Sequence, residues 1–66
     1  MSLTAINKAL KAAGAQEALR RGRGYFYFEG GDSAHWPETG VYACSLQALS
    51  VEQWLAERDR LAGGAQ

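Results

Sequence analysis

The chain has 66 residues, with seven basic and seven acidic side chains for zero formal net charge, 47% hydrophobic residues, one cysteine and one histidine. That length specifies one domain, which buries only about 60% of the surface its unfolded chain exposes. Cys44 has no second cysteine to pair with and His35 no second histidine, which excludes an internal disulfide and the usual Cys/His zinc sites.

Stability must therefore come from packing or from self-association as a homodimer, through an exposed strand edge or an aromatic face. The neutral balance also excludes a strongly basic nucleic-acid footprint and the bulk acidity of a DNA mimic. Charge is nonetheless segregated along the chain. Residues 1–28 hold Lys8, Lys11, Arg20, Arg21 and Arg23 against Glu17, whereas residues 29–66 hold Arg58 and Arg60 against Glu29, Asp32, Glu38, Glu52, Glu57 and Asp59. A lone thiol fits a reducing compartment, and Lys8 and Lys11 interrupt the N-terminal apolar pattern, which excludes a signal h-region or a spanning run there. The expectation is a soluble cytoplasmic protein with no membrane partner and no cofactor.

Leu3, Ile6, Leu10 and Ala13 are spaced three, four and three apart, so they share one helical face. A helix is predicted over residues 3–13, with Ser2 or Thr4 as its cap and Gly14 as its left-handed terminator. Residues 15–21 have helix-favouring composition but run into Gly22-Arg23-Gly24. They form either a short helical piece or a strand, Glu17 to Arg21, that pairs with 25–29 across a three-residue loop; the hairpin is the favoured reading.

Tyr25-Phe26-Tyr27-Phe28 holds four of the seven aromatic residues. In a strand, Phe26 and Phe28 point to one side and Tyr25 and Tyr27 to the other. Gly30-Gly31-Asp32-Ser33 ends that strand, and residues 32–40 read as a loop with one helical turn before Pro37. Val41 to Leu46 reads as a further strand, antiparallel to 25–29. Ser50 and Gln53 then make a capping box and Leu49 and Trp54 a hydrophobic staple, which starts a helix. Its apolar face carries Val51, Trp54, Leu55, Arg58 and Leu61, and Gly63-Gly64 ends it.

The predicted fold class is α+β: a small antiparallel sheet of two or three strands with an N-terminal and a C-terminal helix packed on one face, as one domain over residues 1–66. Phe26, Phe28, Leu3, Ile6, Leu10, Trp54, Leu55 and Leu61 are the expected core. The opposite sheet face, with Tyr25, Tyr27 and part of 41–46, is expected to lie open and meet a partner.

Arg23-Gly24-Tyr25-Phe26-Tyr27-Phe28 partly matches the RNA-stacking strand signature Lys/Arg-Gly-Phe/Tyr-Gly/Ala-Phe-Val-x-Phe/Tyr. Arg23, Gly24, Tyr25 and Tyr27 agree; Phe26, Phe28 and Gly30 do not, and the chain is too short for that four-stranded fold. Two exposed tyrosines beside arginines would still stack single-stranded nucleic acid weakly, at about 1–3 kcal/mol per base. Asp32, His35 and Cys44 contain the residue types of a thiol catalyst, but nothing in their spacing demands that geometry, and a small strand residue and a loop residue explain Cys44 and His35 more simply. The glycine pairs are turns, since they lack the order strand, glycine loop, helix of a phosphate cradle. Trp36, in a polar loop, either folds back over the sheet or projects as an interface anchor.

Arg21-Gly22-Arg23-Gly24-Tyr25-Phe26-Tyr27-Phe28, then Trp36, Val41-Tyr42, and Leu49-Ser50 with Trp54, is similar to a group of short proteins encoded by phages, prophages and plasmids of proteobacteria. The resemblance spans roughly residues 19–55 and carries no mechanistic motif. It implies a protein that binds a host protein complex; inhibitors of CRISPR effectors are similar in length and in lacking an active site. The expected function is a non-enzymatic interaction module, in that manner an inhibitor of a bacterial defence complex, with Arg20, Arg21, Arg23, Tyr25, Tyr27, Trp36 and Tyr42 as its contact residues. The alternative is a weak single-stranded nucleic-acid binder that uses Arg20, Arg21, Arg23, Tyr25 and Tyr27.

Overall fold

Ser2 caps helix α1 (Leu3–Ala12) by accepting a hydrogen bond from the Ala5 N–H at 3.1 Å. In this computed structural model, which describes residues 2–63, α1 ends in a Schellman motif. Ala15 N–H reaches back to Leu10 O at 2.9 Å and Gly14 N–H to Lys11 O at 3.0 Å, with Gly14 at φ +89°. Ile6 and Leu10 form the buried stripe of α1.

Of residues 15–21, the last four form the first strand of a hairpin, one residue shorter than the expected Glu17 to Arg21. Strand β1 (Ala18–Arg21) pairs antiparallel with β2 (Phe26–Glu29) in the register Ala18 to Glu29, Leu19 to Phe28, Arg20 to Tyr27 and Arg21 to Phe26. Gly22 N–H donates to Tyr25 O at 2.8 Å, so pairing continues past the strands and the tip is Arg23-Gly24 rather than the expected three-residue loop. Gly24, at φ +76°, takes the conformation that tip needs.

Strand β3 (Gly40–Val41) pairs antiparallel with the other edge of β2, Phe26 to Val41 and Tyr27 to Gly40, giving the order β1-β2-β3. The strand expected over Val41 to Leu46 is corrected to these two residues. Ala43 N–H bonds to Val41 O at 3.1 Å, and this tight turn at Tyr42 takes the chain out of the ladder. A 3₁₀ turn over Leu46–Ala48 then leads to α2 (Val51–Gly63). The capping box is formed in both directions, Gln53 N–H to Ser50 Oγ at 3.1 Å and Ser50 N–H to Gln53 Oε1 at 2.8 Å. Gly64, expected to help end α2, lies outside the described residues.

Both helices pack on the phenylalanine side of the sheet. Ile6, Leu10, Leu19, Phe26, Phe28, Val41, Leu46, Trp54 and Leu61 make the buried core; Leu3 and Leu55, expected inside, are half-buried at its margin. Trp54 is the keystone. Its ring meets Phe26 edge-on at 5.3 Å, and its Nε1–H donates to Leu46 O at 3.0 Å, satisfying the indole and fixing the turn before α2. Truncating Trp54 or Phe26 to alanine costs about 3–5 kcal/mol, which matches the whole net stability of a core this small.

The outer edge of β1 is closed by Asn7, whose Oδ1 accepts from Leu19 N–H at 2.6 Å while its Nδ2 donates to Leu19 O at 3.1 Å. A side chain of α1 thereby occupies the backbone groups that another strand would use. Asn7→Ala leaves that edge unsatisfied and is predicted to destabilise the domain by about 1–3 kcal/mol, read as a lower urea midpoint with an unchanged slope.

Candidate functional site

Alternation along β2 puts Tyr25 and Tyr27 on the face away from the helices, and the β1 register adds Arg20 beside Tyr27. The β2–β3 register adds Gly40 opposite Tyr27, and Tyr42 follows two residues on, on the same side. The three phenol rings form a corner. Tyr25 lies 6.0 Å from Tyr27 and 5.9 Å from Tyr42, each pair tilted by 41°. The fourth corner is Gly40, which has no side chain, and an open depression of about 420 Å³ lies there, lined by Tyr25, Tyr27, Glu38, Thr39, Gly40 and Tyr42.

A glycine lies beneath each of two of these rings, and space requires only the first. The Tyr25 ring lies directly over Gly22, where a Cβ would collide with it. The Tyr42 ring leans over Gly40, 3.8 Å from where a Cβ would stand, which is ordinary contact. Tyr42 is 81% exposed, while Tyr25 and Tyr27 are half-buried by their neighbours on the same face.

The sequence-predicted contact residues do not all meet here. Tyr25, Tyr27 and Tyr42 cluster, with Arg20 at the β1 side and Arg23 exposed at the hairpin tip. Arg20 is bound to Glu29, Nε to Oε1 at 3.3 Å, in an exposed pair. Arg21 falls on the other face: its guanidinium carbon stands 5.1 Å from the Phe26 ring centre. Trp36 also belongs to that other side, half-buried against the core with its ring 6.0 Å from Phe28. Folding back is thus the observed fate of Trp36, whose ring lies between Phe28 and the Arg58 guanidinium of α2, 6.0 Å away.

Behind Trp36 is a polar node that sequence reasoning did not single out. The Glu17 side chain is 2% exposed, and its Oε1 accepts from Arg58 Nη2 at 2.8 Å and Nε at 2.9 Å, a two-pronged contact. Its Oε2 accepts from the Asp32 N–H at 3.1 Å, and Gly31, at φ +52°, leaves the room that a Cβ would fill against this carboxylate. Arg58 also bonds to Asp59 at 3.0 Å and stands 6.0 Å from the Trp36 ring. The available signal was Arg58 on the apolar face of α2, a charge placed where only a buried counter-charge makes sense.

Burial by itself would push the Glu17 carboxyl up; the Asp32 N–H and the Arg58 guanidinium outweigh it and hold the group below its ordinary value of 4.5. A depressed folded value means the ion pair's stabilisation is complete above the ordinary carboxylate range and is lost as pH falls through the folded value.

Of the residue types that could act as a thiol catalyst, Cys44 is a free, exposed cysteine after Tyr42, and His35 sits exposed in the 3₁₀ turn Ser33–His35. Among the described residues no hydrogen bond joins them, and no group of three or more His, Cys, Asp or Glu side chains is placed to hold a metal ion. No helix of the described residues is long and apolar enough to cross a membrane.

The chain matches no protein-family model, no curated protein and no solved structure.

Glu17→Gln is predicted to lower stability at neutral pH by about 1–3 kcal/mol, below the usual cost of breaking a fully buried pair because Arg58 can turn to solvent and to Asp59. Denaturant melts between pH 7 and pH 3 check the sign: the wild-type chain loses the Glu17 contribution on acidification, so its advantage over Glu17→Gln shrinks towards acid.

Proposed function

We propose that this protein works by binding another protein rather than by catalysis, and that Tyr25, Tyr27 and Tyr42 form the contact surface with Arg20 and Arg23 at its rim. The observation that carries this reading is the tyrosine corner itself: the Tyr27 and Tyr42 rings each lie about 6 Å from the Tyr25 ring on a sheet face that neither helix covers. Tyrosine and arginine are the residue types that interfaces concentrate, because each offers a large apolar body with a polar end. Tyr25 and Tyr27 support one another as a ring pair, whereas Tyr42, 81% exposed on the same face, adds apolar surface that a partner would cover. The resemblance to short proteins of phages, prophages and plasmids directs the choice of partner to a host protein complex, in the manner of CRISPR-effector inhibitors.

Single-stranded nucleic acid is the competing occupant of this face. It requires cations that are free and grouped along the stacking rings. Arg20 is engaged with Glu29, Arg21 stands on the opposite face, and Glu38 lines the depression. That mixed charge supports a protein partner.

The test is capture from bacterial lysate by the tagged protein, compared with Tyr27→Ala/Tyr42→Ala. Those positions spare Tyr25, whose ring covers the hairpin glycine. The expected outcome is a defined protein complex that survives a rise in salt and is lost with the double variant, while the variant stays folded with a stability change of about 1 kcal/mol or less. Unchanged capture by the double variant, or recovery of nucleic acid released steeply by salt, contradicts the proposal.

A further inference from the structure

We propose that the depression over Gly40 receives one cationic side chain, a lysine or arginine presented by the partner protein. The inference rests on the tyrosine face being the interface, and it names the chemistry that face recognises.

The depression lies where a side chain is missing from the sheet face. Gly40 stands opposite Tyr27 in the ladder, and Tyr42, where the chain leaves it, packs its ring against Tyr25, so three rings surround a position that carries no side chain. Gly40 opens the short edge strand β3, and a glycine there leaves the backbone accessible to close approach by another group. Here no positive φ demands glycine at position 40, and a Cβ would meet nothing closer than ordinary van der Waals distance. The backbone would accept a larger residue, so what glycine supplies at this position is open space between three rings.

The walls specify what fills that space. Phenol rings present negative π faces, and a cation over such a face is attracted most strongly where water is displaced. Glu38 is the only charged residue in the lining, and it is acidic; Thr39 and the phenol oxygens add acceptors. Lysine and arginine heads carry donors and no acceptor, which complements this set.

The chain's own cations are otherwise occupied or displaced. Arg20 is bound to Glu29, and Arg60, whose guanidinium feels the Glu38 charge, is bound to Glu57. Arg23 lies at the hairpin tip outside the lining. An apolar side chain would occupy the space without engaging Glu38 or the phenol oxygens.

Ring resonances of Tyr25, Tyr27 and Tyr42, followed by NMR during titration of the whole protein, test this directly. The probes are Nα-acetyl-lysine methylamide, its ε-trimethyl derivative, and neutral Nα-acetyl-norleucine methylamide. Both cationic probes are expected to shift the three rings saturably, with norleucine about fivefold weaker or more. Gly40→Val, which a strand accommodates, should weaken the cationic probes by about fivefold while the hairpin amide resonances stay in place; Glu38→Gln should weaken them by about twofold or more. Norleucine binding as tightly as lysine, absence of saturable shifts with the cationic probes, or indifference to Gly40→Val overturns the inference. If tyrosine-dependent capture of a partner persists through such a result, the interface reading stands and only the cation assignment falls. Capture that ignores the tyrosines overturns both.

Discussion

Everything in this molecule depends on the alternation of β2, the central strand of a three-stranded sheet. Phe26 and Phe28 turn inward, where Trp54 closes on Phe26 edge-on and Leu19, Ile6, Leu10 and Leu61 complete the packing. Tyr25 and Tyr27 are thereby forced outward, since successive strand residues cannot share a side. A slip of one residue in the pairing would exchange the two sets, burying phenol hydroxyls and exposing phenyl rings. The register is defended at both edges: Asn7 occupies the backbone of Leu19 on one, and the turn at Tyr42 cuts the other short. One geometric rule thus produces both the core and the candidate binding surface.

The segregated charge of the chain acquires a structural meaning through Glu17 and Arg58. Glu17 is the one acidic residue of the basic half and Arg58 one of two basic residues of the acidic half, and they meet at 2.8 Å behind Trp36. Their contact ties the start of the hairpin to α2, while the Gly30-Gly31 turn folds over the carboxylate and supplies a backbone N–H through Asp32. A desolvated pair of this kind adds little net stability but penalises arrangements that separate its members. In a small domain whose single cysteine allows no internal disulfide, that penalty helps select one docking of α2 on the sheet.

Much of this was legible in the sequence, for identifiable reasons. The helices announced themselves through local rules: a three-four spacing for α1, and a capping box with its staple for α2. The hairpin stood open beside a helical alternative because Glu17 to Arg21 has helix-favouring composition; tertiary burial of Leu19 and Glu17 decided it. The strand from Val41 was overextended because Tyr42 to Leu46 has strand-like composition, whereas a turn needing no signature residue ends it after Val41. Of the contact residues, the three tyrosines came together by strand parity alone. Arg21 and Trp36 did not join them, as parity across the hairpin sets Arg21 over Phe26 and the loop lays Trp36 on Phe28. Gly40 was silent until its register partner Tyr27 was known.

The functional account therefore reduces to a surface whose existence follows from which rings face water. Its most direct test is the relaxation of aromatic protons by a soluble gadolinium chelate, measured ring by ring in the free protein. The account predicts strong relaxation at Tyr42, clear relaxation at Tyr25 and Tyr27, and near-complete protection of Phe26, Phe28 and Trp54. Protected tyrosines together with relaxed phenylalanines would contradict it, and with it the binding face.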